Sequence, residues 1–213
     1  MPKRKFVNWD LQDWQIGGRI REITNWQVFM GIDQLQEKID GLLTRQDRVV
    51  IAIDGPCGAG KTTLAAKLAQ RYACNVIHMD AFVLRPQQRT PARFAEPGGN
   101  VDYERFYEEV LTPLGTGKAF SYRPFDCKTF TLGEPVLVEP KPLCIVEGSY
   151  SLHPYFGSPY DLKVLLTVDP QVQRERILQR PAALHKRFFE QWIPMEHCYL
   201  EACNIAEQVD LVL

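Results

Sequence analysis

The chain has 213 residues, 45% of them hydrophobic and 24% charged, with 25 basic against 26 acidic side chains and a formal net charge of −1. That is an ordinary globular composition with enough length for one good core, and its charge excludes a general electrostatic pull towards nucleic acid or an anionic membrane, so any basic site must be local. No apolar run approaches the roughly 18 residues of a membrane span, and the basic opening MPKRKF leads into VNWDLQDWQ without the apolar region of a signal peptide. A soluble, cytoplasmic protein without nucleic-acid or membrane partners is expected.

Residues 1–47 carry Trp9, Trp14 and Trp26 and a stretch in which Ile32, Leu35, Ile39 and Leu42 or Leu43 recur at helical spacing. They read as an N-terminal helical extension packed on the domain, with a partner-binding arm as the alternative. From Arg48 the pattern alternates between short apolar strands and helices: RVVIAID and KTTLAAKLAQRYA, NVIHMD, DYERFYEEVLTPL, PLCIVEGSY, LKVLLTVD and PQVQRERILQR, then QVDLVL. This spacing predicts an α/β domain over residues 48–213, with a parallel sheet flanked by helices in three layers. Two stretches break the rhythm. LRPQQRTPARFAEPGGN reads as a long functional loop, and FSYRPFDCKTFTLGEPVLVEP as a small β excursion with turns at Pro124, Gly133 and Pro140.

Between the first strand and the first helix of this domain lies GPCGAGKTT, which satisfies G-x-x-x-x-G-K-[ST]. Gly55, Pro56, Cys57, Gly58, Ala59 and Gly60 would turn backbone N–H groups inward around phosphate oxygens. Lys61 would neutralise the β and γ phosphates, Thr62 would offer its hydroxyl to Mg²⁺, and with Thr63 it opens a helix whose positive end faces the anion. ATP and Mg²⁺ are therefore the expected cofactors, on a P-loop fold. A metal-bound triphosphate also needs a carboxylate at a neighbouring strand end, and Asp80 and Glu147 are the two candidates. On the helix PQVQRERILQR, Asp169 is a plausible N-cap, and Arg176 and Arg180 share a face that could close over phosphate or simply be solvated. His78, His153, His185 and His197 lack metal-ligand spacing. The six cysteines include no C-x-x-C pair and are expected to be reduced; a reactive thiol at Cys57 is an alternative to a purely structural one.

HMDAF, GGNVDYERFYEEVLTPL, YRPFDCKTFTLGEP, CIVEGSY and WIPMEHCYLEACNIAEQVDLVL together resemble the uridine kinase-like branch of P-loop kinases, a group that includes nicotinamide riboside, pantothenate and phosphoribulo kinases. The likeness runs from about Arg48 to Leu213. It implies an ATP-dependent phosphotransferase acting on a hydroxyl of a small metabolite, most simply a nucleoside. It implies Asp80 as the base that orients the acceptor hydroxyl, Asp102 as a ligand of sugar hydroxyls, and Glu147 near metal and phosphates. Arg176 matches the phosphate-gripping arginine best, with Arg174, Arg180, Lys186 and Arg187 as looser matches. Thr62, Asp80 and Glu147 form the implied metal set. Asp102, Phe125, Arg93 and Arg180 form the implied acceptor set, and Lys61, Asp80 and Arg176 the catalytic one.

Phe125 stands where the family has a base-contacting tyrosine, no histidine follows it, and Gln179 stands where a lid arginine is expected. Uridine itself is thus not fixed by the resemblance. Two rival readings remain: a nucleoside monophosphate kinase, for which Arg85, Arg89 and Arg93 could clamp an acceptor phosphate, and a non-catalytic ATP-binding regulator. Oligomeric state is open, a homo-oligomer included.

Overall fold

The computed structural model describes residues 25–213. In chain order the helices and strands are α1 (Asn25–Leu43), β1 (Val49–Asp54), α2 (Lys61–Arg71), β2 (Cys74–His78), α3 (Pro91–Ala95), α4 (Tyr103–Phe106), α5 (Thr112–Thr116), β3 (Phe120–Tyr122), β4 (Phe125–Asp126), β5 (Thr131–Leu132), β6 (Val136–Val138), β7 (Leu143–Glu147), β8 (Leu162–Leu165), α6 (Pro170–Leu178), α7 (His185–Arg187), α8 (Ile193–Ala202) and β9 (Leu211–Val212). Trp9 and Trp14 lie outside the described residues.

Five strands form one sheet in the order β2-β7-β1-β8-β9, every pairing parallel. Both faces are covered, which is why its strands read as nearly continuous apolar runs. Along β1, Val49, Ile51 and Ile53 point to one side, where Leu64 and Leu68 of α2 and Leu35 and Ile39 of α1 cover them. Ala52 points to the other side, with Val146 of β7 and the aromatic layer of Phe82, Phe106 and Phe156. Period two on the strand thus divides one chain segment between two cores. Leu35 and Ile39 are fully buried, so α1 packs as part of the domain.

The β excursion consists of two antiparallel pairs, β3 with β6 and β4 with β5. The expected helix over DYERFYEEVLTPL is real but interrupted: α4 passes through a π-helical turn, Tyr107–Leu111, before α5. A second π turn, Phe188–Trp192, joins α7 to α8. Each π turn is followed by a proline one residue into the next helix, Pro113 and Pro194. Proline has no N–H to give the carbonyl four residues back and its ring crowds that carbonyl, so widening the preceding turn lets the helix continue.

The parallel sheet brings the C-terminal ends of β2, β7 and β1 side by side, and the chain order reverses about β1: β2 and β7 lie on one side of it, β8 and β9 on the other. A crevice outside the strand ends at such a reversal is where ligands bind in open α/β sheets.

Candidate active site

The phosphate loop leaves β1 at Gly55 with φ 142°, and a Cβ there would lie 2.3 Å from the Leu166 carbonyl. No other residue fits that turn. Gly60 adopts φ 100° immediately before α2, so the loop enters the helix through a left-handed residue. Thr62 and Thr63 follow in the first turn of α2.

Lys61 is buried and folded back on its own loop, with Nζ donating to the carbonyls of Gly55 (2.7 Å) and Pro56 (3.0 Å) and to Ser149 Oγ (3.2 Å). Thr62 Oγ1 donates to Glu147 Oε1 at 3.1 Å, and His78 Nδ1 lies 2.5 Å from the same oxygen. Glu147 raises the His78 pKa through that contact, with burial opposing it and the Asp80 charge adding to it. Asp80 sits in a 3₁₀ turn, Met79–Phe82, just past the end of β2, and is exposed. Thr62 and Glu147 therefore meet at one edge of the loop, and Asp80 lies near enough for its charge to act on His78.

Among the described residues no group of three His, Cys, Asp or Glu could hold a metal alone. A hydroxyl with one or two carboxylates still suits Mg²⁺, which keeps several waters and takes its remaining ligands from phosphate.

On the far side of the loop, Asp169 caps α6 by accepting from the amides of Gln171 (2.8 Å) and Val172 (3.1 Å). The capped helix reaches the loop at two points. Gln173 Nε2 donates to the Cys57 carbonyl at 2.7 Å, and Arg176 Nη1 to the Gly58 carbonyl at 2.7 Å. Arg174, Arg180 and Arg187 lie over the rings of Phe189, Phe188 and Trp192, 4.9 to 5.1 Å from their centroids. These rings order the cations without neutralising them, whereas Lys186 is turned to Glu190 at 3.9 Å.

The acceptor side differs from a simple reading of its residue types. Arg93 is consumed: its guanidinium donates to both oxygens of Glu104 (2.6 Å each) and to the carbonyls of Gly99 and Val101, and stacks 3.7 Å from the Tyr103 centroid. It braces the long loop and does not face the crevice as a free cation. Asp102 is fully buried, contacts Arg85 Nε at 3.1 Å and Arg105 Nε at 3.4 Å, and caps α4 through the Arg105 amide. Its carboxylate lies under the loop and not on the open crevice wall. Phe125 is buried and packs edge-on to Phe130, whose ring is exposed. Arg89 lies over both rings and donates to the Leu84 carbonyl.

Three features escaped the sequence reading. Asp54, fully buried, accepts from the amides of Gly55, Tyr150 and Leu152 and from the Tyr199 hydroxyl. Glu196 on α8, also buried, accepts from the Cys57 amide (2.8 Å) and from Ser149 Oγ (2.8 Å). Ser149 links Glu196 to Lys61. Burial raises the carboxyls of Asp54 and Glu196, and their hydrogen bonds and the Lys61 charge oppose that rise. The available signals were an acid closing the otherwise apolar run VVIAID and a Glu three residues before a Tyr on one helix face. Cys57 is not a reactive thiol: burial and the adjacent Glu196 push its pKa well up.

No family model matches the chain. Among curated proteins, one from Schizosaccharomyces pombe described as a candidate uridine kinase is 31% identical over 175 residues, covering 70% of this chain and 72% of its own length. A uridine kinase of Oceanobacillus iheyensis is 30% identical over 149 residues, covering 65% of this chain and 70% of its own. Two solved structures share the fold. One is a possible uridine kinase from Bacillus stearothermophilus (TM-score 0.60, 21% identity, 84% of this chain and 99% of that one), and the other a candidate fructose transport system kinase from Silicibacter sp. (TM-score 0.62, 22% identity, 84% and 98%). With the strand–loop–helix cradle and the contact between Thr62 and Glu147, these likenesses lead to one conclusion: the chain belongs to the uridine kinase-like family of P-loop kinases and is an ATP-dependent kinase.

Proposed function

We propose that the enzyme uses ATP with Mg²⁺ to phosphorylate a sugar hydroxyl of a nucleoside-like metabolite. The observation that carries this reading is the charge pattern of the acceptor side. The exposed carboxylate of Asp80 stands at the strand end, while Arg93 and Arg85 of the long loop are neutralised by Glu104 and Asp102. An acceptor that already carried a phosphate would need those cations free and would face Asp80 at a cost. A hydroxyl acceptor needs a base and no cation.

In this reading Asp80 orients the hydroxyl and takes its proton as the new O–P bond forms. Lys61 leaves the Gly55 and Pro56 carbonyls for the β and γ phosphates, and Arg176, already at the Gly58 carbonyl, bears on the transferring group. Thr62, Glu147 and Asp80 would hold Mg²⁺, which supplies charge neutralisation of the phosphates when bound. Asp102 acts through Arg85, whose guanidinium it anchors at the loop. The exposed ring of Phe130, backed by the buried Phe125, offers an apolar surface to a planar base, and the relatives named uridine kinase support a nucleoside.

Release of ADP from ATP and Mg²⁺ with a panel of nucleosides, nucleoside monophosphates, pantothenate and sugar phosphates tests the reading, with the Lys61→Ala variant as blank. A nucleoside is expected to give the largest rate. Stimulation by monophosphates alone would favour the nucleoside monophosphate kinase, with Arg89 as its clamp, and no stimulation at all the non-catalytic regulator.

A further inference from the structure

We infer that Glu196, on the C-terminal helix α8, is a positioning residue for phosphoryl transfer that acts on Lys61 through the hydroxyl of Ser149. The ATP-dependent activity underlies this inference, whereas the identity of the acceptor does not.

Glu196 is 6% exposed, and its close partners, the Cys57 N–H and thiol and the Ser149 hydroxyl, are all donors. A carboxylate held only by donors is suited to its ionised form. Ser149 Oγ has one hydrogen and two candidate acceptors, Glu196 Oε1 at 2.8 Å and the Gly55 carbonyl at 3.1 Å. The charged and nearer acceptor takes it. With the hydrogen turned to Glu196, the Ser149 lone pairs face the Lys61 ammonium at 3.2 Å. The charge on α8 thereby fixes the direction of a hydroxyl and, through it, the place of the lysine.

The same carboxylate also holds the Cys57 amide, which the sequence alone would count among the phosphate donors. The loop's first turn is pinned from behind, and the amides from Gly58 onward remain for phosphate. Tyr199, one turn further along α8, anchors the same helix to Asp54 at 2.8 Å. Glu196 and Tyr199 share a helix face and grip the two ends of the strand-to-loop junction. This face of α8 gives the loop a rigid back against which Lys61 is aimed.

Glu196→Gln keeps the size and can still accept from the Cys57 amide, but its amide donates to Ser149 and forces the hydroxyl hydrogen towards Gly55. The measurement is ATP turnover, both as slow hydrolysis to water without acceptor and with the panel, together with MgATP affinity, on Glu196→Gln, Ser149→Ala, Lys61→Ala and the Lys61→Ala/Glu196→Gln double variant. Turnover is expected to fall about tenfold in Glu196→Gln and about fivefold in Ser149→Ala, with MgATP affinity within about threefold of the parent. In the Lys61→Ala background, Glu196→Gln should change turnover less than about twofold, because its effect runs through the missing lysine. Parental turnover in Glu196→Gln, or an equal loss with and without Lys61, would overturn the inference and leave Glu196 a fold-stabilising residue. Hydrolysis to water keeps this result readable even if no panel member is an acceptor, which would count against the proposed nucleoside and not against Glu196.

Discussion

The phosphate side and the acceptor side of the crevice are built by opposite means. On the phosphate side, nine consecutive residues from Gly55 to Thr63 supply the loop, and buried partners from β7, α6 and α8 hold it in place. On the acceptor side, the 83–102 loop is braced by ion pairs within its own stretch of chain, Arg93 with Glu104 and Arg85 with Asp102. The first region is thus one short segment locked by partners 85 to 139 positions away in the chain. Bracing within one stretch of chain makes the second adaptable, since changing one ion pair reshapes that loop without touching the phosphate loop. Within a single kinase fold, acceptor choice can therefore change while the phosphate machinery stays.

Variants that act on only one side sharpen this contrast. Asp80→Asn keeps size and polarity but removes the proton acceptor, so kcat should fall by about 10² to 10⁴ while acceptor KM moves little. Loss of affinity with retained turnover would relocate the base. Lys61→Ala removes the cation that must leave Gly55 and Pro56 for the phosphates, and turnover should drop at least about a hundredfold with the fold intact. Near-parental turnover would mean that the loop is not a phosphate cradle.

On the acceptor side the expected effects are on stability. Arg93→Ala strips Glu104 and two carbonyls of their donors and Tyr103 of its stacked cation, and should cost about 2 kcal/mol in denaturant unfolding while acceptor KM stays within about twofold. A large KM change with no loss of stability would make Arg93 a substrate ligand after all.

The last effect concerns pH. His153 is stacked on Tyr103, and burial, with the Arg93 charge adding to it, brings its pKa down to about 4 from the ordinary 6.5. The folded state therefore favours neutral His153. Its contribution is complete above about pH 6.5 and is lost as pH falls towards 4, roughly 2 kcal/mol of it by pH 5. Unfolding of the parent and of His153→Gln at pH 7.5 and pH 5 checks this: the parent should lose more stability on acidification, and parallel losses would contradict it.

How much of this was legible in sequence follows from the same contrast. The strand, glycine loop and helix from Val49 to Arg71 announce themselves because each signal is local: apolar residues in a run, glycines where φ is positive, Leu64 and Leu68 on one helix face. Asp169 as a cap was equally local. The fate of Arg93 and Asp102 was not, because whether a charged side chain meets substrate or a buried partner depends on which loop folds over it. Glu196 was missed for a related reason: α8 meets the phosphate loop across 139 positions of chain, and the pairing of Glu196 with Tyr199 on one helix face does not say which surface that face meets. The two π turns were hidden as well, although Pro113 and Pro194 mark where each helix had to adjust.

The central claim is that the γ phosphate passes to a hydroxyl of a small metabolite held beside Asp80. ³¹P NMR of the enzyme with ATP, Mg²⁺ and a nucleoside tests it most directly. The account predicts a phosphomonoester resonance that grows in step with ADP and is absent with Asp80→Asn. ADP accompanied only by inorganic phosphate, across every nucleoside tried, would contradict it.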